Sequence, residues 1–149
     1  MFVDHASTFA RLFHQISLQV GETLLNKHRL ESEAATYGVK IKSYHADNHP
    51  FGAKEFLEDL KRCKQTITFS GVGAHHQNGV AERTQATITS WSLAMMMNLM
   101  IHWPQEYDRC LWPFAMDYVE WIWNHLPNAL SHVTASTRGV RFKTTETSP

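Results

Sequence analysis

The sequence has no excess of charge, few cysteines and no long hydrophobic run. Its 14 Lys and Arg balance its 14 Asp and Glu, which excludes binding of nucleic acid or anionic membrane by bulk charge alone but permits local basic contacts. Cys63 and Cys110 form no C-x-x-C pair, so two buried thiols in a reducing compartment are favoured over a disulfide. The most apolar stretch, residues 93–103, contains Asn98 and His102 and is shorter than the ~18 apolar residues of a membrane span.

The composition indicates an ordered intracellular protein with no membrane partner. The first residues, M-F-V-D-H, lack the basic region of a signal peptide. Hydrophobic residues make up 43% of the chain, which excludes a mainly disordered protein. The 149 residues fit one domain, and we expect it to occupy residues 1–127. The Ser- and Thr-rich residues 128–149 are expected to be a linker or disordered tail.

The hydrophobic pattern predicts an α/β fold with a mixed sheet flanked by helices. Alternating side chains predict strands at residues 2–3, 9–20, 39–45 and 66–69, with a turn at residues 6–8. Helical spacing predicts helices at residues 22–37, 51–61 and 80–100, a further segment from Trp103, and a helix from Pro113 to Pro127. Gly38 stands where a glycine ends the first helix.

Two of the predicted helices carry an apolar face that should pack on the sheet. On the first helix this face contains Leu24, Leu25, His28, Leu30, Ala34 and Ala35. On the long helix it contains Val80, Ile88, Trp91, Met95 and Leu99. In the last helix Trp121 and Trp123 cannot share one face, so we expect one of them to meet solvent or a neighbouring subunit.

Two carboxylates are placed where they can bind a divalent metal. Asp47 follows a predicted strand at its carboxyl end, where open α/β sheets place their sites. Glu82 lies in the first turn of the long helix, roughly opposite its apolar face. Such a pair can hold Mg²⁺ or Mn²⁺, which activates a nucleophile and neutralises phosphate charge.

Simpler interpretations of these residues stay open. Asp47 and Asn48 precede Pro50 and can form a turn, and an acid such as Glu82 is favoured at a helix N-terminus for capping and dipole reasons. His75 and His76 invite a zinc interpretation, but no cysteine pair or second spaced histidine stands nearby.

Three strings occur in a fixed order along the sequence: F-V-D-H-A-S at residues 2–7, Y-H-A-D-N at residues 44–48 and H-H-Q-N-G-V-A-E-R at residues 75–83. Taken together, they resemble the catalytic core of copia-like retrotransposon integrases. The later L-W-P-F-A at residues 111–115 and N-H-L-P at residues 124–127 are similar to that family's closing helices. The chain resembles the family over roughly residues 2–127. The Q-N-G-V-A-E-R string is specific for the family, whereas the D-N pair alone is weak.

The resemblance implies a ribonuclease H-like fold with an Asp, Asp, Glu catalytic triad. Asp47 matches the second Asp and Glu82 matches the Glu, with 34 residues between them, close to the family's usual gap. By resemblance, both are catalytic residues and metal ligands. The implied reaction is attack of water at a DNA 3′ end and then attack of that 3′-hydroxyl on target DNA. Two metal ions would stabilise the attacking and leaving oxygens.

The resemblance also implies contacts with DNA. Asn48, Gln77 and Asn78 match the family's polar residues around the site, which would orient DNA ends. Arg83 stands where basic residues begin to follow the family's Glu along the helix. The implied partners are element ends, target DNA and further copies in a homo-oligomer, and a working integrase would be nuclear.

The sequence departs from the family at several positions. The family's first catalytic Asp lies on a strand before the one that opens this sequence, so we expect a fold without that strand; Asp4 matches the aspartate of the next strand. His49 stands where the family usually has glycine. Only Arg83 follows Glu82 before the uncharged residues 84–89, which weakens the expected grip on phosphates. After Pro127 the pattern is lost.

These observations predict integrase-like DNA 3′-end processing and strand transfer, impaired because two carboxylates should hold the catalytic metal pair weakly. The alternative is a catalytically inactive ribonuclease H-fold module that binds nucleic acid or forms oligomers.

Overall fold

The computed structural model describes residues 1–17, 19–46, 51–71 and 78–127. Within them the chain is an α/β protein, as predicted. It divides into two compact units, one made of Met1–His14 with Val80–Pro149 and the other of Gln15–Gly79. The strands are β1 (Phe2–Val3), β2 (Ala10–Arg11), β3 (Ser43–Ala46) and β4 (Thr66–Phe69). The helices are α1 (Val20–Thr36), α2 (Lys54–Arg62), α3 (Gly79–His102) and α4 (Trp112–His125).

Strands β1 and β2 of the first unit form an antiparallel pair joined by a tight turn. Phe2 lies opposite Arg11 and Val3 opposite Ala10. In the turn, the Asp4 carboxylate accepts a hydrogen bond of 2.8 Å from the backbone N–H of Ser7. The predicted turn is confirmed, but the predicted strand at residues 9–20 is wrong in length, because β2 ends at Arg11.

Helices α3 and α4 supply the core of the first unit. Ile88 and Val119 pack with Ala10, and all three are essentially fully buried. The predicted apolar stripe on α3 is confirmed in part: Ile88 is buried and Met95 packs against the same core, whereas Trp91 is 39% exposed. The buried residues of α3 are spaced four apart: Thr84, Ile88, Ser92 and Met96. The hydroxyl groups of Thr84 and Ser92 donate hydrogen bonds to carbonyls of their own helix.

Helix α4 begins as predicted, with Pro113 in its first turn, a position where its missing N–H costs nothing. The segment from Trp103 is not a helix but a turn, in which the N–H of Glu106 bonds to the carbonyl of Trp103, and a short 3₁₀ turn at Arg109–Leu111 precedes α4.

The second unit contains a parallel pair, β3 and β4, in which Ser43 lies opposite Thr66 and Ala46 opposite Phe69. Strand β4 occupies the predicted residues 66–69, while β3 is shorter than the predicted residues 39–45 and ends one residue later. The expectation of one mixed sheet is wrong for the described residues, because their strands form two separate two-stranded sheets, one antiparallel and one parallel.

Helix α1 ends at the predicted glycine but buries an unexpected face. Gly38 has a φ of 68° and its N–H bonds to the carbonyl of Ala35 at 2.8 Å. The predicted apolar face is wrong: Leu25 is 51% exposed, whereas Asn26 and Lys27 are buried. A charged side chain therefore lies inside this unit and needs partners there.

Both cysteines are free thiols, as expected. The expectation that both are buried is wrong, because Cys63 is half-buried and Cys110 is exposed. No helix within the described ranges is long and apolar enough to cross a membrane.

Candidate functional site

Strand β3 leads directly to the first predicted metal ligand. Its last residue, Ala46, is buried, and the backbone N–H of Ser70, just after β4, bonds to the Ala46 carbonyl at 3.1 Å. Because β3 and β4 are parallel, their carboxyl ends lie at the same edge, which is where α/β sheets place ligands. The predicted site residues Asp47, Asn48 and Gln77 lie outside the described residues.

A histidine marks this edge of the parallel pair. His45 Nδ1 lies 2.8 Å from Thr68 Oγ1, and His45 Nε2 lies 3.2 Å from Ser70 Oγ. Both ring nitrogens are therefore held by hydroxyl groups of β4 and of the residue that follows it. The imidazole ring of His45 is therefore fixed, and His45 lies two residues before Asp47 in the sequence.

The second predicted ligand, Glu82, lies in the first turn of α3 with its side chain exposed. Among the described residues it makes no hydrogen bond or ion pair, so its carboxylate is open to solvent. Arg83 beside it is also exposed, and Asn78, just before the helix, is half-buried. The position of Glu82 away from the core is confirmed, while its pairing with Asp47 stays a prediction.

A second set of charged residues, which the sequence analysis did not identify, lies inside the unit Gln15–Gly79. We call it the Lys27 cluster: Lys27, His28, Glu31, Tyr44, Asp59, Arg62, Cys63 and Gln65. Lys27 is completely buried, and its Nζ lies 2.8 Å from Asp59 Oδ2 and 2.9 Å from Glu31 Oε1. Burial disfavours the charged ammonium, but its bonds to Asp59 and Glu31 outweigh that effect and raise the pKa of Lys27.

Glu31 accepts three hydrogen bonds in this cluster. Tyr44 donates from its hydroxyl at 2.7 Å, Gln65 from Nε2 at 2.6 Å, and Lys27 completes the set. Burial opposes ionisation of Glu31, but these donors prevail and lower its pKa. Burial and the bond to Glu31 raise the pKa of Tyr44 well above its usual value. Glu31 is thus an ionised carboxylate held in place by neighbours from α1, from β3 and from the loop just before β4.

Asp59 has a similar position on α2. Its side chain is 5% exposed, and Oδ2 lies 2.8 Å from Lys27 Nζ and 2.9 Å from His28 Nε2, while Oδ1 accepts a bond from Arg62. Burial opposes ionisation of Asp59, yet the hydrogen bonds from these donors hold its pKa well below the usual range. The Sγ of Cys63 lies 4.0 Å from Asp59 Oδ2.

The sequence contained only a faint signal of the Lys27 cluster. Lys27 and Glu31 are four apart on one helix, a spacing that pairs opposite charges, but such pairs are usually at the surface. Asp59 lies 32 residues from Lys27 along the chain. Only the folded unit brings these charges together.

A row of exposed aromatic side chains lies along α4. Phe114, Tyr118 and Trp121 are 69%, 54% and 57% exposed. The Trp121 ring stacks on Tyr118 at 6.3 Å and on His125 at 4.3 Å between centroids. Trp123, in contrast, donates from Nε1 to the carbonyl of Thr8 at 2.9 Å. The expectation that one of the two tryptophans meets solvent is confirmed.

A comparison of the sequence with protein-family models and with curated proteins finds no match.

Proposed function

We propose that this chain is an integrase-like domain of ribonuclease H-like fold that binds DNA and carries out metal-dependent phosphoryl transfer weakly. The proposal rests on the Q-N-G-V-A-E-R string, which resembles copia-like integrases, and on Glu82 within it. Glu82 is an exposed carboxylate in a first helical turn and has no partner among the described residues. A carboxylate in that state is available to a cation.

The position of Asp47 supports the same proposal. In the sequence it directly follows β3, a strand of a parallel pair, and the carboxyl edge of such strands is where phosphate and metal sites of α/β proteins occur. If Asp47 and Glu82 share Mg²⁺ or Mn²⁺, the metal would lower the charge on a scissile phosphate and on the leaving 3′ oxygen.

The reaction is expected to be weak for two reasons. The chain matches two of the family's three carboxylates, and affinity for a hard cation falls with the number of charged ligands. The helix that carries Glu82 has one basic residue, Arg83, in its first two turns, so few cations there can bind DNA phosphates.

Strand transfer with purified protein, a labelled DNA duplex and a target plasmid in Mn²⁺ tests this proposal. We expect a low level of product that D47N and E82Q each abolish, because each removes a metal ligand. Glu55 provides a matched control, since it is also an exposed acid in a first helical turn, that of α2. The E55Q variant should behave as wild type. Equal loss in E55Q and E82Q, or product that survives both D47N and E82Q, would contradict the assignment of these ligands.

The alternative function is a catalytically inactive module that binds nucleic acid or forms oligomers. The exposed aromatic row on α4 favours it, because large apolar surface is usually covered by a partner. Salt-dependent DNA binding that persists in E82Q without nicking would support this alternative, as would an oligomer that Y118A/W121A dissociates. Nicking in Mn²⁺ that E82Q abolishes would favour the enzyme.

A further inference from the structure

We propose that His28, Glu31 and Cys63 form a binding site for a divalent transition metal of the zinc type. A ring nitrogen of His28, a carboxylate oxygen of Glu31 and the Sγ of Cys63 all lie within 4.8 Å of one another. Zn²⁺ binds these three kinds of atom at about 2.0 to 2.3 Å. A central ion therefore reaches all three after small side-chain movements.

The three side chains come from α1 and from the residue that directly follows α2. His28 and Glu31 are three residues apart on α1, and residues at that spacing lie on the same face of a helix. Cys63 directly follows α2, and its backbone N–H bonds to the Asp59 carbonyl at 2.9 Å. Ligands held on helices keep their geometry better than ligands on loops.

Hydrogen bonds within the Lys27 cluster orient the Glu31 ligand. Among the described residues, Lys27, Tyr44 and Gln65 all contact Oε1 of Glu31. Oε2 can therefore coordinate a metal without the loss of these bonds. Carboxylate ligands in metal sites are commonly fixed in this way by neighbouring donors.

Asp59 performs the corresponding task for the histidine. We infer that the metal binds Nδ1 of His28, because Nε2 lies 2.9 Å from Asp59 Oδ2 and a carboxylate on one ring nitrogen leaves the lone pair on the other, as in carboxylate–histidine–zinc arrangements. The same Oδ2 lies 4.0 Å from the Cys63 Sγ. Asp59 is therefore a carboxylate beside the ligand set, while water reaches the site past His28, whose side chain is 43% exposed.

The charges and ligand types select the metal. Without a metal, Lys27 and Arg62 balance Glu31 and Asp59. On binding, the Cys63 thiol releases its proton to solvent and the thiolate sulfur bonds to the ion. A set with sulfur and nitrogen suits Zn²⁺ or Co²⁺ and not Mg²⁺ or Mn²⁺, which prefer oxygen. This site is therefore separate in chemistry from the one proposed at Asp47 and Glu82, and it does not depend on integrase function.

Titration of the reduced, chelator-treated full chain with Co²⁺ tests the site. Cobalt bound to a thiolate shows a charge-transfer absorption that cobalt bound only to histidines lacks. We expect one equivalent of Co²⁺ to produce this absorption in wild type, Zn²⁺ to displace it and a large excess of Mg²⁺ to leave it unchanged. Absence of the thiolate absorption in folded wild-type protein would overturn the proposal.

Variants then assign the ligands. C63S should remove the absorption, and C63S and H28A should each weaken Zn²⁺ binding about tenfold or more. C110S is the matched control, because Cys110 is a free thiol outside this unit and its loss should change neither measurement. Absorption that disappears in C110S but not in C63S would overturn the site. Zinc lost from H75A/H76A but retained by C63S would do the same.

A measurement on wild-type protein covers the case in which a variant does not fold. One equivalent of Zn²⁺ should slow alkylation of Cys63 by iodoacetamide severalfold while Cys110 reacts at an unchanged rate, as read by peptide mass spectrometry. Equal rates at Cys63 with and without Zn²⁺ would overturn the proposal.

Discussion

The buried charge pair between Lys27 and Asp59 leads to a quantitative prediction for D59N. This substitution keeps the shape of the side chain and removes its charge. Lys27 Nζ, with no exposure to solvent, then keeps Glu31 at 2.9 Å as its one charged partner. Loss of one partner of a buried ion pair costs about 3–5 kcal/mol when the remaining charge has no compensation, and a hydrogen bond to a charged group contributes about 1.5–3 kcal/mol.

We expect D59N to lower the free energy of unfolding by about 2–3 kcal/mol, because Glu31 still compensates Lys27. That loss corresponds to a factor of roughly 30 to 160 in the unfolding equilibrium constant. Urea unfolding followed by far-UV circular dichroism measures it. Tryptophan fluorescence is unsuitable, because all five tryptophans lie outside the unit Gln15–Gly79.

The neighbouring E58Q provides a matched control on the same helix. Glu58 is 62% exposed and its Oε1 lies 3.7 Å from Nζ of Lys54, which is 87% exposed. Exposed pairs of this kind contribute about 0.5 kcal/mol or less. If D59N and E58Q shift the urea midpoint equally, the reasoning about the buried pair is refuted.

Three further predictions concern stability, and each rests on one local feature of the structure. N124A should lower the free energy of unfolding by about 2–4 kcal/mol. The Asn124 side chain bonds to both the N–H and the carbonyl of Ala10, at 2.9 and 2.8 Å, and its loss leaves these two buried backbone groups unpaired. Tryptophan fluorescence during urea unfolding measures the loss. Burial raises the pKa of Glu120 above its usual 4.5, so the folded state holds the carboxyl proton more tightly than the unfolded state. As the pH rises from 4.5 through this raised pKa, wild type should therefore lose stability relative to E120Q. Unfolding measured from pH 4 to 8 checks this. G38A should cost about 1 kcal/mol, because the positive φ of Gly38 is strained for any side chain; the melting temperature reports it.

Each of these changes has a control in the same chain. N98A alters an exposed Asn on α3 and should leave stability within about 0.5 kcal/mol of wild type. A similar loss in N98A and N124A would contradict the role assigned to the hydrogen bonds between Asn124 and Ala10. A constant difference between wild type and E120Q at all pH values would show that Glu120 ionises normally. G21A adds a methyl group in open space inside α1 and should stabilise the helix by about 0.5–1 kcal/mol, so a loss in G21A equal to that of G38A would contradict the backbone argument.

Several elements could be predicted because their causes are local. Strand β4 occupies the predicted residues, Gly38 ends α1, and Pro113 begins α4. Each depends on side-chain alternation or on the backbone preference of one residue. The exposed Glu82 was predicted for the same reason, since its position on α3 follows from helical spacing.

Other features could not be read from local pattern. Strand β2 is short although residues 9–20 alternate, since side chains of α4, rather than a further strand, bond to the backbone of Ala10 and Leu12. Trp91 meets solvent although helical spacing places it with Ile88. In each case a distant segment decides how the local residues are used.

The sequence by itself determined the order of most elements, the exposure of Glu82 and the strand before Asp47, because periodicity, glycine and proline act within a few residues. Tertiary structure alone decided that Lys27 is buried, since a buried ammonium is stable only when carboxylates surround it. It placed Asp59, 32 residues away, against that lysine, and so assembled the Lys27 cluster with His28, Glu31 and Cys63.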